Sequence, residues 1–286
     1  MMQPLFEHRL ELAGFETRAL ELEGSGPPLV LLHGFADSAD TWRMLLDRLG
    51  RTDRRAVAID LPGFGAADPL GADRPILAQL TDFGVAAVRH YAPEGGAIVC
   101  GNSLGGCLAL LLAQRSGLGL AGVMPVAPAG LDMARWLTII EREPLLRALL
   151  ASPLPVPPVA LQRIVLEIYK RLAFHHPETV EPLVGRAFAS HFRDRHTTAR
   201  ILGAGRQILP ELRDPFDLER IQCPVQLVWG DHDVMVFKSG AQRVLDSVRE
   251  SHLTLIEDCG HCPQIEAADR LAELLLEFPA PLVQAA

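Results

Sequence analysis

The chain has 286 residues, 49% of them hydrophobic and 22% charged, with a formal charge of −8. That composition excludes a disordered chain and leaves room for one large domain, or a core plus an accessory domain. Scattered arginines in an acidic chain leave no footprint for a phosphate backbone, so nucleic acid is excluded as a partner.

The N-terminal stretch MMQPLFEHRLEL lacks a basic region followed by an apolar core. No stretch reaches the roughly 18 uninterrupted apolar residues that a spanning helix needs. The expectation is a cytoplasmic protein without stable membrane insertion, for which a homo-oligomer is allowed. The five cysteines, at 100, 107, 223, 259 and 262, do not resemble a secreted disulfide framework and suit a reducing compartment.

In chain order, two half-polar alternating runs, His8–Leu12 and Thr17–Leu22, predict an antiparallel hairpin near a sheet edge. Six short apolar runs follow: Leu29–Leu32, Ala56–Ile59, Ala97–Cys100, Gly122–Val126, Val225–Trp229 and Leu253–Ile256. Each is bounded by Gly, Pro or Asp, as expected of parallel strands covered on both faces. Helical patterns lie between them over Thr41–Leu49, Leu77–Tyr91, Gly105–Arg115, Lys238–Val248 and Glu266–Phe278. The series predicts an α/β fold with a doubly wound, mostly parallel eight-stranded sheet flanked by helices.

One interval breaks the alternation. From about Leu131 to Leu212 the pattern offers no strand, only helical stretches at Leu145–Leu150, Val159–Leu172 and Val180–Phe192, with prolines at 153, 155, 157 and 158. The expected organisation is a core of 1–130 and 213–286 carrying a helical cap, 131–212, inserted after strand six. In an open α/β sheet ligands bind beyond the carboxyl ends of the strands, so such an insertion overhangs the site. Its apolar residues Trp136, Leu145, Leu149, Leu161, Ile164, Leu166 and Ile168 could equally pack on the core or line an acyl pocket.

The chemistry begins at Gly101-Asn102-Ser103-Leu104-Gly105-Gly106, a G-x-S-x-G sequence between a predicted strand and a predicted helix. Small residues on both sides permit a very tight turn that lifts the Ser103 hydroxyl clear of the sheet. A helix N-cap would also place a serine there. A serine hydroxyl is a weak nucleophile, however, and needs a base together with a group that orients the base. Two downstream loops supply both: Trp229-Gly230-Asp231-His232-Asp233 and Cys259-Gly260-His261 each follow a predicted strand and open at the same sheet edge.

With those residues in place, the chain resembles the α/β-hydrolase fold family over nearly its whole length. His33-Gly34-Phe35, Asp60-Leu61-Pro62-Gly63-Phe64-Gly65, the serine turn, Trp229-Gly230-Asp231-His232-Asp233 and Gly260-His261 each match the family pattern. The resemblance implies Ser103 as nucleophile, Asp233 rather than Asp231 as the acid, and His261 as the base. It also implies an oxyanion hole formed by the N–H groups of Leu104 and Phe35, with no cofactor and no metal. His33 is then structural, Asp60 organises its turn, and Asp132 is an alternative acid that fits less well. His175, His176, His191 and His196 read as solvated surface in a charged helical region, without ligand spacing or a nearby carboxylate pairing.

Cys259 and Cys262 form a CxxC, but only 24 residues follow Cys262 (286 − 262), too few for the sheet of a thioredoxin-like domain, and the sulfurs are read as incidental. A serine at the turn argues against relatives that use an aspartate there, such as haloalkane dehalogenases and epoxide hydrolases. The Gly-Asn-Ser-x-Gly-Gly form is similar to the carbon-carbon hydrolases of aromatic ring cleavage. Those carry Trp where Cys262 stands, none of Arg186, Arg193 or Arg195 matches their cap arginine, and Ala66-Ala67 replace the serine common after Gly65. The favoured reading is hydrolysis of a small carboxylic ester with an apolar acyl or alcohol part. Carbon-carbon cleavage, or a ligand-binding receptor that retains the triad, stands as the alternative.

Overall fold

The computed structural model describes residues 3–133 and 157–278. Eight strands, β1 (Leu5–Leu12), β2 (Phe15–Leu22), β3 (Ser25–Leu32), β4 (Arg54–Ile59), β5 (Ile98–Asn102), β6 (Gly122–Val126), β7 (Val225–Gly230) and β8 (Ser251–Ile256), form one sheet in the order β1-β2-β4-β3-β5-β6-β7-β8. The pairings of β2 with β1 and with β4 are antiparallel, and all the others are parallel. The helices are α1 (Arg43–Leu49), α2 (Ile76–Tyr91), α3 (Leu104–Ala113), α4 (Pro158–Ala173), α5 (Pro182–Ser190), α6 (Arg195–Glu211), α7 (Ala241–Ser247), α8 (Pro263–Glu266) and α9 (Ala268–Glu277).

The central strands read as unbroken apolar runs because both of their faces are covered. Val30 and Leu32 of β3 join Val99 of β5 in one core, packed with Leu80 and Phe83 of α2 and Leu108 of α3. Leu29 and Leu31, on the opposite pleat, join Ile98 and Cys100 in a second core with Leu45 and Leu49 of α1 and Leu271 and Leu275 of α9. The two-residue period of the strand therefore divides one sequence run between two cores.

α3 approaches the sheet so closely that a Cβ built on Gly105 would lie 2.0 Å from the Leu32 carbonyl oxygen. Only glycine allows the helix to start there.

The structure departs from the sequence expectations at helix ends and in one whole helix. The run from Glu266 to Phe278 is interrupted at Ala267 (φ −134, ψ 42), which separates α8 from α9. The segments Ala39–Trp42 and Lys238–Gly240 are 3-10 turns leading into α1 and α7. α6 has no counterpart among the predicted elements. It is rich in charge and contains Gly203, Gly205 and Pro210, and it buries only a narrow stripe through Thr198, Ile201, Leu202 and Ile208. Its signal was the N-cap, where the Asp194 side chain accepts the Thr197 N–H at 2.8 Å. The predicted helix at Leu145–Leu150, with Trp136, Leu145, Leu149, Pro153 and Pro155, lies outside the described residues. Between β6 and β7 the described residues contain helices and short turns but no strand.

Replacing Gly105 with alanine should cost at least about 3 kcal/mol, since a backbone carbonyl cannot move aside as a side chain can. Chemical denaturation of Gly105→Ala beside the parent protein checks this.

Candidate active site

The loops after β3, β5, β7 and β8 meet over the carboxyl ends of the strands, and each contributes to one site. Ser103 links β5 to α3 with φ 54 and ψ −110, a conformation an L-residue adopts only under constraint. Its N–H donates to the Val126 carbonyl at 2.9 Å, and its own carbonyl accepts from Cys107 N–H at 2.9 Å and Ala129 N–H at 3.0 Å. A Cβ on Gly101 would fall 2.2 Å from the Gly105 carbonyl carbon, so the two arms of the turn pack backbone to backbone. This arrangement is a strained strand-to-helix elbow, not an ordinary N-cap: the Ser103 side chain makes no capping bond.

The imidazole of His261 is almost fully buried, and its Nδ1 lies 2.7 Å from Oδ2 of Asp233. The other oxygen of that carboxylate accepts the N–H groups of Met235 at 2.8 Å and Val236 at 3.0 Å. A carboxylate saturated in this way accepts from the ring, so Nδ1 carries the hydrogen and Nε2 is the nitrogen offered to a partner in the cavity that His261 lines. Asp231 turns elsewhere, accepting from His232 Nδ1 at 2.7 Å. Asp132 accepts the Ser239 hydroxyl at 2.5 Å. Asp233 is therefore the carboxylate that the structure brings to His261.

His33 is buried and holds loop backbone, as expected. Its Nε2 accepts the Leu61 N–H at 2.8 Å, which places the hydrogen on Nδ1, donated to the Gly34 carbonyl at 2.7 Å. Burial holds it neutral, with its pKa lowered to about 4. Asp60 gathers Ala39 N–H at 2.7 Å, Ala66 N–H at 2.8 Å and the Arg18 guanidinium at 3.0 Å, which ties the loops after β3 and β4 together.

Asn102, Gln264 and Ala173 hold the backbone around His261, and the sequence reading gives none of them a role. Asn102 donates to the His261 carbonyl at 2.9 Å. Gln264 donates to Asn102 and to the Thr41 hydroxyl, both at 3.2 Å. The N–H of His261 itself donates to Ala173 at the end of α4, at 2.8 Å. The histidine is thus held by its peptide groups as well as by its ring.

Ser103, His261, Phe35 and Gly34 line a single cavity of about 850 Å3, counting its open mouth. The remainder of its described lining is mainly apolar, from Val165, Ile168 and Leu172 of α4 to Phe188, Ile201 and Met235. Tyr169 stacks on Phe188 with ring centroids 3.7 Å apart. Of the predicted apolar residues, Ile168 lines the cavity, whereas Leu161 is buried with Ala36, Val165 and Phe188. Leu104 opens α3, so its N–H has no acceptor within the helix. A Cβ on Gly34, next to Phe35, would lie 3.4 Å from the Ser103 Cβ.

The cysteines flanking His261 face different surroundings. Cys259 packs in the core shared with α1 and α9, while Cys262 joins Phe174, Val184 and Ile265. Burial pushes both thiols up, so neither has the thiolate character that redox chemistry requires.

The comparisons with known proteins agree with this architecture. A model described as the alpha/beta hydrolase family matches residues 29–274. The chain belongs to the alpha/beta hydrolase family.

Among its relatives, the dihydrolipoyllysine-residue acetyltransferase component of the acetoin cleaving system of Pseudomonas putida is 28% identical over 284 residues, covering 94% of this chain and 68% of the relative. Monoacylglycerol lipase ABHD6 of Bos taurus is 25% identical over 268 residues, covering 90% of this chain and 76% of the lipase. The solved structure of 2-hydroxy-6-oxo-6-phenylhexa-2,4-dienoate hydrolase from Rhodococcus sp. strain RHA1 superposes with a TM-score of 0.75 at 22% identity, over 96% of this chain and 99% of that one. At that identity the likeness shows the alpha/beta hydrolase fold alone. Among the described residues no helix is long and apolar enough to cross a membrane.

Asp37 is a titratable group of the cavity wall that the sequence reading did not single out. Burial pushes its carboxyl from an ordinary 3.8 up to about 7, despite the hydrogen bond it accepts from Ser38 N–H at 2.8 Å. The folded state therefore binds this proton more tightly than the unfolded state. The resulting stability is fully present below pH 4 and is lost as pH rises through 7. Asp37→Asn keeps an acceptor but cannot ionise, so it should match the parent at pH 4 and exceed it by on the order of 2–4 kcal/mol at pH 8. Denaturation curves across that range would show the growing gap, and a gap that stays constant with pH would contradict the assignment.

Proposed function

We propose that this alpha/beta hydrolase cleaves a small carboxylic ester with an apolar acyl or alcohol part, through an acyl-enzyme on Ser103. The observation that carries the reading is a serine on a strained elbow sharing one apolar cavity with a buried, carboxylate-bonded imidazole. Pure ligand binding requires none of that arrangement, which weighs against a receptor.

His261 Nε2 takes the Ser103 proton as Oγ attacks the ester carbonyl, and Asp233 stabilises the imidazolium that forms. The N–H groups of Leu104 and Phe35 receive the negative charge on the tetrahedral oxygen, each contributing about 3 kcal/mol to transition-state stabilisation. Collapse of the intermediate sends the proton from His261 to the leaving alcohol. Water then enters, loses its proton to the same imidazole and releases the acid.

The helices α4 to α6 belong to the cap expected at 131–212, and their apolar walls select the acyl or alcohol part. They exclude water from a site where charges are weakly screened. The lipase relative supports ester chemistry. Carbon-carbon hydrolysis of an anionic ring-cleavage product is less favoured, because no lysine or arginine lines the cavity among the described residues.

A fluorophosphonate probe should label Ser103, as mapped on the modified peptide. Hydrolysis of p-nitrophenyl esters over a chain-length series should fall by at least about a thousandfold in Ser103→Ala. A folded protein that neither labels at Ser103 nor turns over any ester or thioester would overturn the reading.

A further inference from the structure

Outside the cavity, the end of α4 and two core loops bring imidazoles and carboxylates together. His175 Nε2 lies 3.2 Å from Oδ1 of Asp258, and His176 Nε2 lies 3.0 Å from Oδ2 of the same carboxylate. The ligand atoms of these three residues all fall within 4.8 Å of one another. The sequence reading of His175 and His176 as lacking a nearby carboxylate is corrected. Both lie between helices of the insertion, just after the end of α4, and their carboxylate comes from the far side of the chain, where no spacing rule could find it.

We propose that His175, His176 and Asp258 bind a divalent transition-metal ion of the zinc class. Two imidazole nitrogens and a carboxylate oxygen are a donor set that suits zinc, with water completing a tetrahedron on the exposed side. The backbone beneath the ligands is already fixed. The N–H groups of His175 and His176 both donate to Oε1 of Glu266 at 2.9 Å, while its Oε2 accepts Gly260 N–H at 2.8 Å.

The surroundings orient the rings as well. Nδ1 of His176 lies 3.3 Å from the Glu178 carboxylate, the outer partner that fixes a metal-binding ring through its second nitrogen. The ring of His175 stacks on His232 at 3.9 Å, and His232 is held by Asp231. Asp258 is in the left-handed region (φ 58), which sets the direction of its carboxylate. It stands three residues before His261, so an ion there would staple the end of α4 to the loop that carries the imidazole.

The test needs no substrate. Protein freed of metal by a chelator is titrated with Zn2+ by calorimetry, and its melting temperature is measured with and without the ion. The wild type should take up one Zn2+ and melt at a higher temperature when loaded. Substitution with Co2+ should give the visible absorption of a four-coordinate ion.

His176→Ala and Asp258→Asn should each weaken binding by about tenfold or more and remove the thermal shift. Asparagine tolerates the left-handed backbone at 258, which keeps that variant folded; His175→Ala gives an independent check. A wild type that takes up no Zn2+, or one whose affinity matches that of both variants, would overturn the proposal and leave the cluster as ordinary histidine-carboxylate pairs.

Discussion

Ser103 holds a backbone conformation that costs on the order of 1–3 kcal/mol, and the rest of the fold supplies what keeps it there. β5 must be central, so that its carboxyl end has neighbours on both sides, and α3 must begin almost in contact with β3. The Val126 carbonyl, which accepts the Ser103 N–H, and the Ala129 N–H, which donates to the Ser103 carbonyl, close the turn from the β6 side. The doubly wound sheet is in this sense the scaffold of one strained residue, and the two hydrophobic cores on its faces offset that strain.

A second layer of order comes from buried polar groups. Asn102, Gln264 and Thr41 join the elbow, the start of α8 and the turn before α1 into one chain of hydrogen bonds around His261. Such groups cost free energy to bury and recover it only when paired, so the network favours one arrangement of the loops over others of similar packing. Glu266 extends the same logic to the outer face, where a single carboxylate receives three backbone N–H groups from two segments.

Much of this was legible in the residues because the signals were local. Apolar runs such as Leu29–Leu32 announce a covered strand, and the glycines around Ser103 announce a turn that only small residues permit. The choice between Asp231 and Asp233 came from family resemblance; in the structure the first faces His232 and the second faces His261. What escaped was non-local or weakly patterned. α6 hides its stripe among charges and glycines, Asp37 looks like a loop aspartate until burial is known, and the pairing of Asp258 with two histidines depends on a fold contact that no periodicity encodes.

The bond from the His261 peptide to the Ala173 carbonyl ties the general position of that imidazole to the last turn of a helix whose other residues contact the cavity. The cavity wall and the placement of the imidazole therefore share a mechanical element. A helical segment transplanted from a relative would bring its own pocket walls and also its own placement of the imidazole. An exchanged helix would keep the imidazole where it is only if its final carbonyl returned to the same point in space.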